Sequence, residues 1–242
     1  MDFQLPKIIG HRGAALTAPE NTIAGLQEAI DQKATWVEFD VKLTQDNIPI
    51  LMHDDTLERT TNGQGFVSNT TLVDVLKLDA GSWFNIKWSR EKIPTFEETL
   101  QFLITKNIFP NIEIKPNQDE DYQTTLEIIK ILNIMWPRNR PLLLSSFSFQ
   151  SLEVAKETSP YFPRGYLIDR YQNDWMQKAM DLSCYSIHCN YKYLTKNWAD
   201  SIKKLGYKLV VYTINVPDDA ERAYQLGVDT IITDCPGIFL KN

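Results

Sequence analysis

The sequence predicts an α/β protein, a (β/α)8 TIM barrel with a small insertion after its second strand. Three observations predict it. Short apolar strands alternate with helical periodicity eight times along 242 residues. Residues 54–94 break that rhythm, being rich in Thr, Asn, Gly and Trp with no sustained period. Finally, the polar residues capable of chemistry fall at the carboxyl ends of the predicted strands, where barrel sites form. An open doubly wound sheet would carry a Gly-rich phosphate turn after its first strand, and Gly10-His11-Arg12-Gly13 is not one. The length suits one catalytic domain over residues 1–242, with the 54–94 segment packed over the site.

The elements follow in order. Lys7-Ile8-Ile9-Gly10-His11 reads as a short strand ending in a polar turn. Pro19-Glu20-Asn21-Thr22 opens a helix that runs to Gln32, with Ile23, Leu26, Ala29 and Ile30 as its apolar stripe. Trp36 starts the second strand. Within the insertion only residues 71–78 have helical spacing. Helices are then predicted over 96–106, 119–135, 151–158, 175–182, 196–205 and 218–226. Strands alternate with them at 109–115, 142–147, 164–168, 185–190, 208–215 and 230–234, and a truncated helix remains over 236–242.

The second strand is the most informative stretch. Glu38 and Asp40 are two residues apart, so both point to one face, while Val37, Phe39 and Val41 point to the other. Acidic side chains on an otherwise apolar strand are expensive to bury without a partner, which suggests a cation. The chain is expected to fold back through a two-residue loop at Asp46-Asn47. Asp40 would then lie opposite His53, with Val41 opposite Met52 and Leu43 opposite Ile50.

Composition limits the partners. A formal net charge of −6 argues against nucleic acid, and an anionic substrate must be drawn by local positive charge or a metal. Cys184, Cys189 and Cys235 have no metal-ligand spacing and read as reduced thiols of a cytoplasmic protein. MDFQLPKIIG has no basic n-region or long apolar run, so a signal peptide is not expected. No window approaches the roughly 20 apolar residues of a membrane span, so stable membrane insertion is not expected.

The barrel rule gathers His11 and Arg12 from strand one, Glu38 and Asp40 from strand two, and His53 from the returning hairpin. It adds Glu113 and Lys115, Ser146, Tyr212 and Asp234 from later strands. Glu38, Asp40 and Glu113 form a hard oxygen set suited to one Mg²⁺ or Ca²⁺ rather than zinc. Arg12 and Lys115 offset the remaining negative charge and admit a phosphate. His11 and His53 make a general acid–base pair, as phosphodiester cleavage needs. His188, on strand six, reads as structural. Phe66, Trp83, Phe84 and Trp88 read as the insertion's own small core, and Asp234 as a support to a neighbouring Lys or Arg.

Taken together, IGHRG, APENT, EFDV, HDDTLERTTNG, DAGSWF, IPTFEE, NIEIKP and GVDTIITDCP, in this order and spacing, resemble the glycerophosphodiester phosphodiesterases. The likeness runs from Ile8 to Pro236. It implies a barrel with an insertion after strand two, and a divalent metal on Glu38, Asp40 and Glu113. His11 and His53 would be the acid–base pair. The implied activity is hydrolysis of a small glycerophosphodiester to glycerol 3-phosphate and an alcohol, through the substrate's own 2-hydroxyl and a cyclic phosphate. Many members carry Trp where this chain has Tyr212, which bears on the choice of alcohol group. A phospholipase-C-like lyase that stops at the cyclic phosphate is the alternative enzyme. A catalytically inactive binding barrel should lack some of the five residues His11, Glu38, Asp40, His53 and Glu113, and all are present.

Overall fold

The computed structural model describes residues 4–240. Among them, eight parallel strands close into a ring. These are β1 (Ile8–Gly10), β2 (Trp36–Leu43), β4 (Phe109–Ile114), β5 (Leu143–Ser146), β6 (Arg164–Ile168), β7 (Ser186–Asn190), β8 (Lys208–Tyr212) and β9 (Thr230–Thr233). The ninth, β3 (Pro49–Leu51), runs antiparallel to the end of β2, on the edge of β2 opposite β4. Closure comes from β1, which pairs with β9 from Ile8↔Ile231 to Gly10↔Thr233 and with β2 at Gly10↔Val37. The expected (β/α)8 barrel is therefore the observed one. Residues 1–3 and 241–242 of the expected domain, including the end of its last helix, lie outside the described residues.

Helices cover the ring because their apolar stripes meet the outward side chains of the strands. α1 (Ile23–Asp31), α3 (Phe96–Lys106) and α4 (Asp121–Met135) bury Leu26, Phe96, Leu100, Ile128 and Leu132 against Val37, Phe39, Val41, Ile112 and Ile114. α5 (Phe149–Thr158), α6 (Trp175–Asp181), α7 (Lys196–Lys204) and α8 (Pro217–Gln225) do the same on the far side through Leu152, Trp175, Trp198, Ile202 and Ala223. The starts are set locally. Thr22 caps α1 by accepting from Gly25 N–H, and Thr95 with Glu98 closes a full capping box on α3. Ile9, Trp36, Leu143, Val210 and Ile232 fill the barrel itself.

The hairpin departs from its expected register by one residue. Val41 pairs with Leu51, Lys42 with Ile50 and Leu43 with Pro49. The loop is longer than two residues because Thr44 binds across it: its N–H donates to Ile48 O, and its Oγ accepts from Ile48 N–H. Asn47 takes the left-handed conformation (φ 59°), and Asp46 is held by Thr44 Oγ and Leu72 N–H. His53 still reaches the site, because β3 ends at Leu51 and the chain bends before it.

Segment 54–94 packs on an aliphatic cluster of Leu57, Val67, Val75, Ala80 and Ile93 together with Ile50 and Met52. The expected aromatic core is not there: Phe66 and Trp83 are exposed, and Phe84 and Trp88 are half-buried. The helix expected over 71–78 is reduced to α2 (Leu72–Val75). The chain continues past it in turns that set Leu78 against the cluster.

Phe96 is fully buried between α3 and β2, whereas Ile134 on α4 is exposed. Phe96→Ala is expected to lose about 3–5 kcal/mol of stability, and Ile134→Ala less than about 0.5 kcal/mol, by urea denaturation.

Candidate active site

Glu38 and Asp40 project from β2, and Glu113 from β4, into one end of the barrel. The register Asp40↔Glu113 puts the strands in step, and carboxylate oxygens of all three lie within 4.8 Å of one another. Each side chain is buried. Burial first, then repulsion from Asp40 and Glu113, raises Glu38 well above the usual carboxylate range. Burial and Asp40 push Glu113 up to about 7. Asp40 goes the other way. Burial opposes its charge, but Lys115, Arg12, His53 and the Asn21 amide outweigh that and hold it below its ordinary value.

The group fits a hard divalent cation by its chemistry, three clustered oxygens with no sulfur or imidazole in the set. One further observation agrees: Glu38 Oε1 is buried and has no hydrogen-bond partner.

Local structure explains how the carboxylates are held. After β1 the chain turns through Arg12 (φ 49°) and Gly13 (φ 92°), and this aims Arg12 N–H at Glu38 Oε2 at 2.9 Å. A Cβ on Gly13 would lie 2.4 Å from the Gly25 carbonyl, so only glycine fits. Asn21, just before α1, donates to Asp40 Oδ2 and accepts from Asp40 N–H. Lys115 Nζ spans Asp40 and Glu113 at 3.3 Å to each.

Both histidines carry a carboxylate on Nδ1. His11 Nδ1 is 2.6 Å from Asp234 Oδ1, and His53 Nδ1 is 2.6 Å from Asp54 Oδ1. Asp234 and Asp54 both lie below their ordinary pKa, so each accepts, and the shared proton sits on Nδ1. For Asp54 the main cause is hydrogen bonding from Arg59. That leaves each Nε2 for chemistry, with His11 Nε2 at 3.9 Å from Glu38 Oε2. Burial, more than any other influence, lowers the proton affinity of His53.

A run of alternating charge ties these parts together. Arg12 Nε is 3.3 Å from Asp40, and its Nη1 donates to Glu20. Glu20 accepts two bonds from Arg59, which also grips Asp54 through Nε at 2.6 Å and Nη2 at 2.9 Å. The run thus ends on the carboxylate that holds His53.

A cavity of about 130 Å³ opens among His11, Arg12, Glu38, His53, Glu113 and Lys115. Tyr212 and Phe147 line it as an edge-to-face pair, centroids 6.0 Å apart. All eight residues nominated from the sequence for catalysis, substrate or metal are therefore close together, and Lys115 and Arg12 also contact the carboxylates directly. Ser146 is not in this group. Its Oγ donates to the Ile114 carbonyl, and Ser145 faces the cavity instead, because alternation along β5 puts 143, 145 and 147 on the inner side. His188 lies outside the lining. It is wholly buried beside Ser186 Oγ (2.9 Å), and burial pushes it down to about 3, so the ring is neutral. Asp234 supports a histidine and not the expected Lys or Arg.

Glu20, Asn21, Asp54, Arg59, Asn111 and Asn215 were not singled out from sequence. Asp54 was findable as the carboxylate adjacent to His53, and Asn111 as the residue two before Glu113 on the same face. Arg59 and Glu20 are 39 positions apart and share no periodicity.

A sequence profile described as the Glycerophosphoryl diester phosphodiesterase family matches residues 11–238. A glycerophosphodiester phosphodiesterase from Caldanaerobacter subterraneus is 36% identical over 235 residues, covering 95% of this chain and 94% of that one. Another from Bacillus subtilis is 33% identical, covering 96% and 85%. A solved phosphodiesterase from Oleispira antarctica, in complex with the product sn-glycerol-3-phosphate, superposes with a TM-score of 0.94 at 36% identity, covering 97% and 95%. The match runs from His11 to beyond Asp234 and so takes in all eight candidate residues, and this chain belongs to the glycerophosphoryl diester phosphodiesterase family.

Proposed function

We propose that the protein hydrolyses glycerophosphodiesters to glycerol 3-phosphate and an alcohol in a divalent-metal-dependent reaction. One observation carries the reading: a buried triangle of carboxylates flanked by two imidazoles, each oriented by its own carboxylate, in a chain of this family. Glu38, Asp40 and Glu113 would hold one Mg²⁺ or Ca²⁺, which supplies charge stabilisation to the phosphodiester oxygens when bound.

The chain's own groups do the rest. Arg12 Nε is buried without a hydrogen bond and, with Lys115 Nζ, offers positive charge to a phosphoryl oxygen. One of His11 and His53 takes the proton of the glycerol 2-hydroxyl as its oxygen bonds to phosphorus. The other gives a proton to the departing alkoxide as the phosphorus–alkoxide bond breaks. Water then opens the cyclic phosphate, with the two imidazoles exchanging roles. Nδ1 of each ring stays committed to Asp234 or Asp54, so transfer runs through Nε2. Tyr212 and Phe147 meet the alcohol group.

The barrel and residues 54–94 act as one catalytic unit in this reading. Its setting is the cytoplasm, in keeping with Cys184, Cys189 and Cys235, all free. No described helix is long and apolar enough to cross a membrane.

A coupled assay for glycerol 3-phosphate release from glycerophosphocholine tests the activity. Thorough chelation is expected to abolish it and Mg²⁺, Ca²⁺ or Mn²⁺ to restore it; full activity after chelation would overturn the metal assignment. Phosphorus NMR separates the hydrolase from a lyase, since only the latter accumulates cyclic phosphate.

His11→Ala and His53→Ala are each expected to lose roughly 10²–10⁴-fold in turnover while remaining folded by circular dichroism.

Asp54→Asn is expected to lower turnover by roughly 10-fold or more, because His53 loses the carboxylate that fixes its tautomer. Asp54 also has a depressed folded pKa. The stability that its charge confers is therefore full above the unfolded value of about 4 and is lost as pH falls below it. Urea midpoints of wild type and variant should differ more at pH 7 than at pH 3.

A further inference from the structure

The amino-terminal end of the barrel, opposite the carboxylates, holds a cavity that the chemistry above leaves unused. It measures about 210 Å³ and lies where the chain enters β5 and β6. Arg138, Arg140, Leu142, Tyr161, Phe162 and Pro163 line it.

Two of these residues carry charge that no neighbouring carboxylate balances. Arg140 is half-buried against Phe109 and Trp136, its guanidinium carbon 5.1 and 5.2 Å from their ring centroids. Its Nη1 donates to Asn107 Oδ1 and its Nη2 to the Ile108 carbonyl, both neutral, and Nε is buried with no partner. The Arg138 guanidinium lies over the Tyr161 ring, 3.8 Å from its centroid. Phe162 gives its carbonyl to a third guanidinium, that of Arg164, whose other partners are the carbonyls of Leu182, Pro160 and Ser183. Among the described residues none of the three makes an ion pair with a carboxylate. Burial alone lowers the pKa of Arg140, whereas bonds to Glu20 and Asp54 raise that of Arg59. With a formal net charge of −6 on the whole chain, this cationic patch is a local exception.

Ring contacts and bonds to neutral oxygens explain how Arg140 is held, and not why its charge and its Nε are left unanswered. A partly buried cation without a counter-ion opposes folding, so the site calls for an anion. The planar fork of a guanidinium matches the two oxygens of a carboxylate. Leu142, Phe162, Pro163 and the Tyr161 ring offer apolar surface to the rest of the ligand. The volume falls below the roughly 300–1,000 Å³ of drug-sized pockets, so one or two fused rings fill it. A cation would be repelled, and a neutral ring would leave the guanidinium charge as it is.

We propose that this cavity is a binding site for a small aromatic carboxylate, with Arg138 and Arg140 receiving the carboxylate and Tyr161, Phe162 and Leu142 the ring. The site is separate from the catalytic one and does not depend on the activity proposed above.

Calorimetric titration of the whole protein with 2-naphthoate tests it. Saturable binding of one equivalent is expected, undiminished by excess glycerol 3-phosphate. 2-Naphthamide, which keeps the rings without the charge, should bind at least about 10-fold more weakly, and so should inorganic phosphate, which has charge without the rings. Arg140→Met should weaken 2-naphthoate by about 10- to 100-fold, as loss of a charge-assisted hydrogen bond does, while remaining folded by circular dichroism. No saturable binding up to about 10 mM overturns the site. So does displacement by glycerol 3-phosphate, equal affinity for the amide or for phosphate, or an unchanged affinity in Arg140→Met. If Arg140→Met does not fold, Arg138→Gln decides. Its affinity should fall by about threefold, because the lost charge is exposed, and an unchanged value overturns the proposal.

Discussion

Three carboxylates buried within 4.8 Å of one another on two neighbouring strands are the constraint around which the rest is arranged. Like charges at that distance in a poorly solvated interior repel strongly, and each also loses hydration. The fold answers with directed positive charge and donors. Lys115 bridges two of the three, Arg12 reaches Asp40 with its side chain and Glu38 with its backbone N–H, and Asn21 holds Asp40 from both sides. The left-handed turn after β1 follows from this, since an extended Arg12 would not aim its N–H at Glu38. The strand face opposite the carboxylates is Val37, Phe39 and Val41, packed against the helices. The site thus sits on rigid elements.

The imidazoles are fixed by a second layer of the same logic. Each has an ionised carboxylate on Nδ1, and each carboxylate is itself engaged, Asp234 by Asn215 and Asp54 by Arg59. Arg59 makes the link between segment 54–94 and the barrel electrostatic as well as apolar. Through Glu20 it shares a carboxylate with Arg12, so the insertion, the turn after β1 and the Asp40 carboxylate belong to one charged network.

Much of this was legible in the sequence, and where it failed the causes are local. Period-two alternation placed Glu38, Asp40, Glu113 and Lys115 correctly because parallel barrel strands bury both faces and leave no other place for a charge. The hairpin register failed by one residue, since Thr44 and Asn47 build a longer loop than a reading of Asp46-Asn47 suggests. His53 lies in the cavity all the same, for a different reason: the chain leaves the strand before reaching it. Ser146 fails because it and Ser145 are adjacent, and only the phase of β5 decides which of them faces the cavity. The insertion's aromatics stay outside because Leu57, Val67 and Val75 suffice to fill so small a core. The Arg59–Glu20 contact leaves no trace in any periodicity.

The His11–Asp234 pair joins the first strand to the stretch after the last, 223 residues apart, and β1 and β9 are hydrogen-bonded neighbours. Seven of the eight candidate residues lie at or before Lys115, so the carboxylate cluster and His53 with its Asp54 are all encoded in the first half of the chain. The other imidazole lacks its orienting partner until the final strand docks. A chain that stops short of β9 therefore carries nearly all these groups and leaves His11 Nδ1 without its carboxylate. Ring closure is what brings Asp234 to His11, and that pair reports that the whole circle is shut.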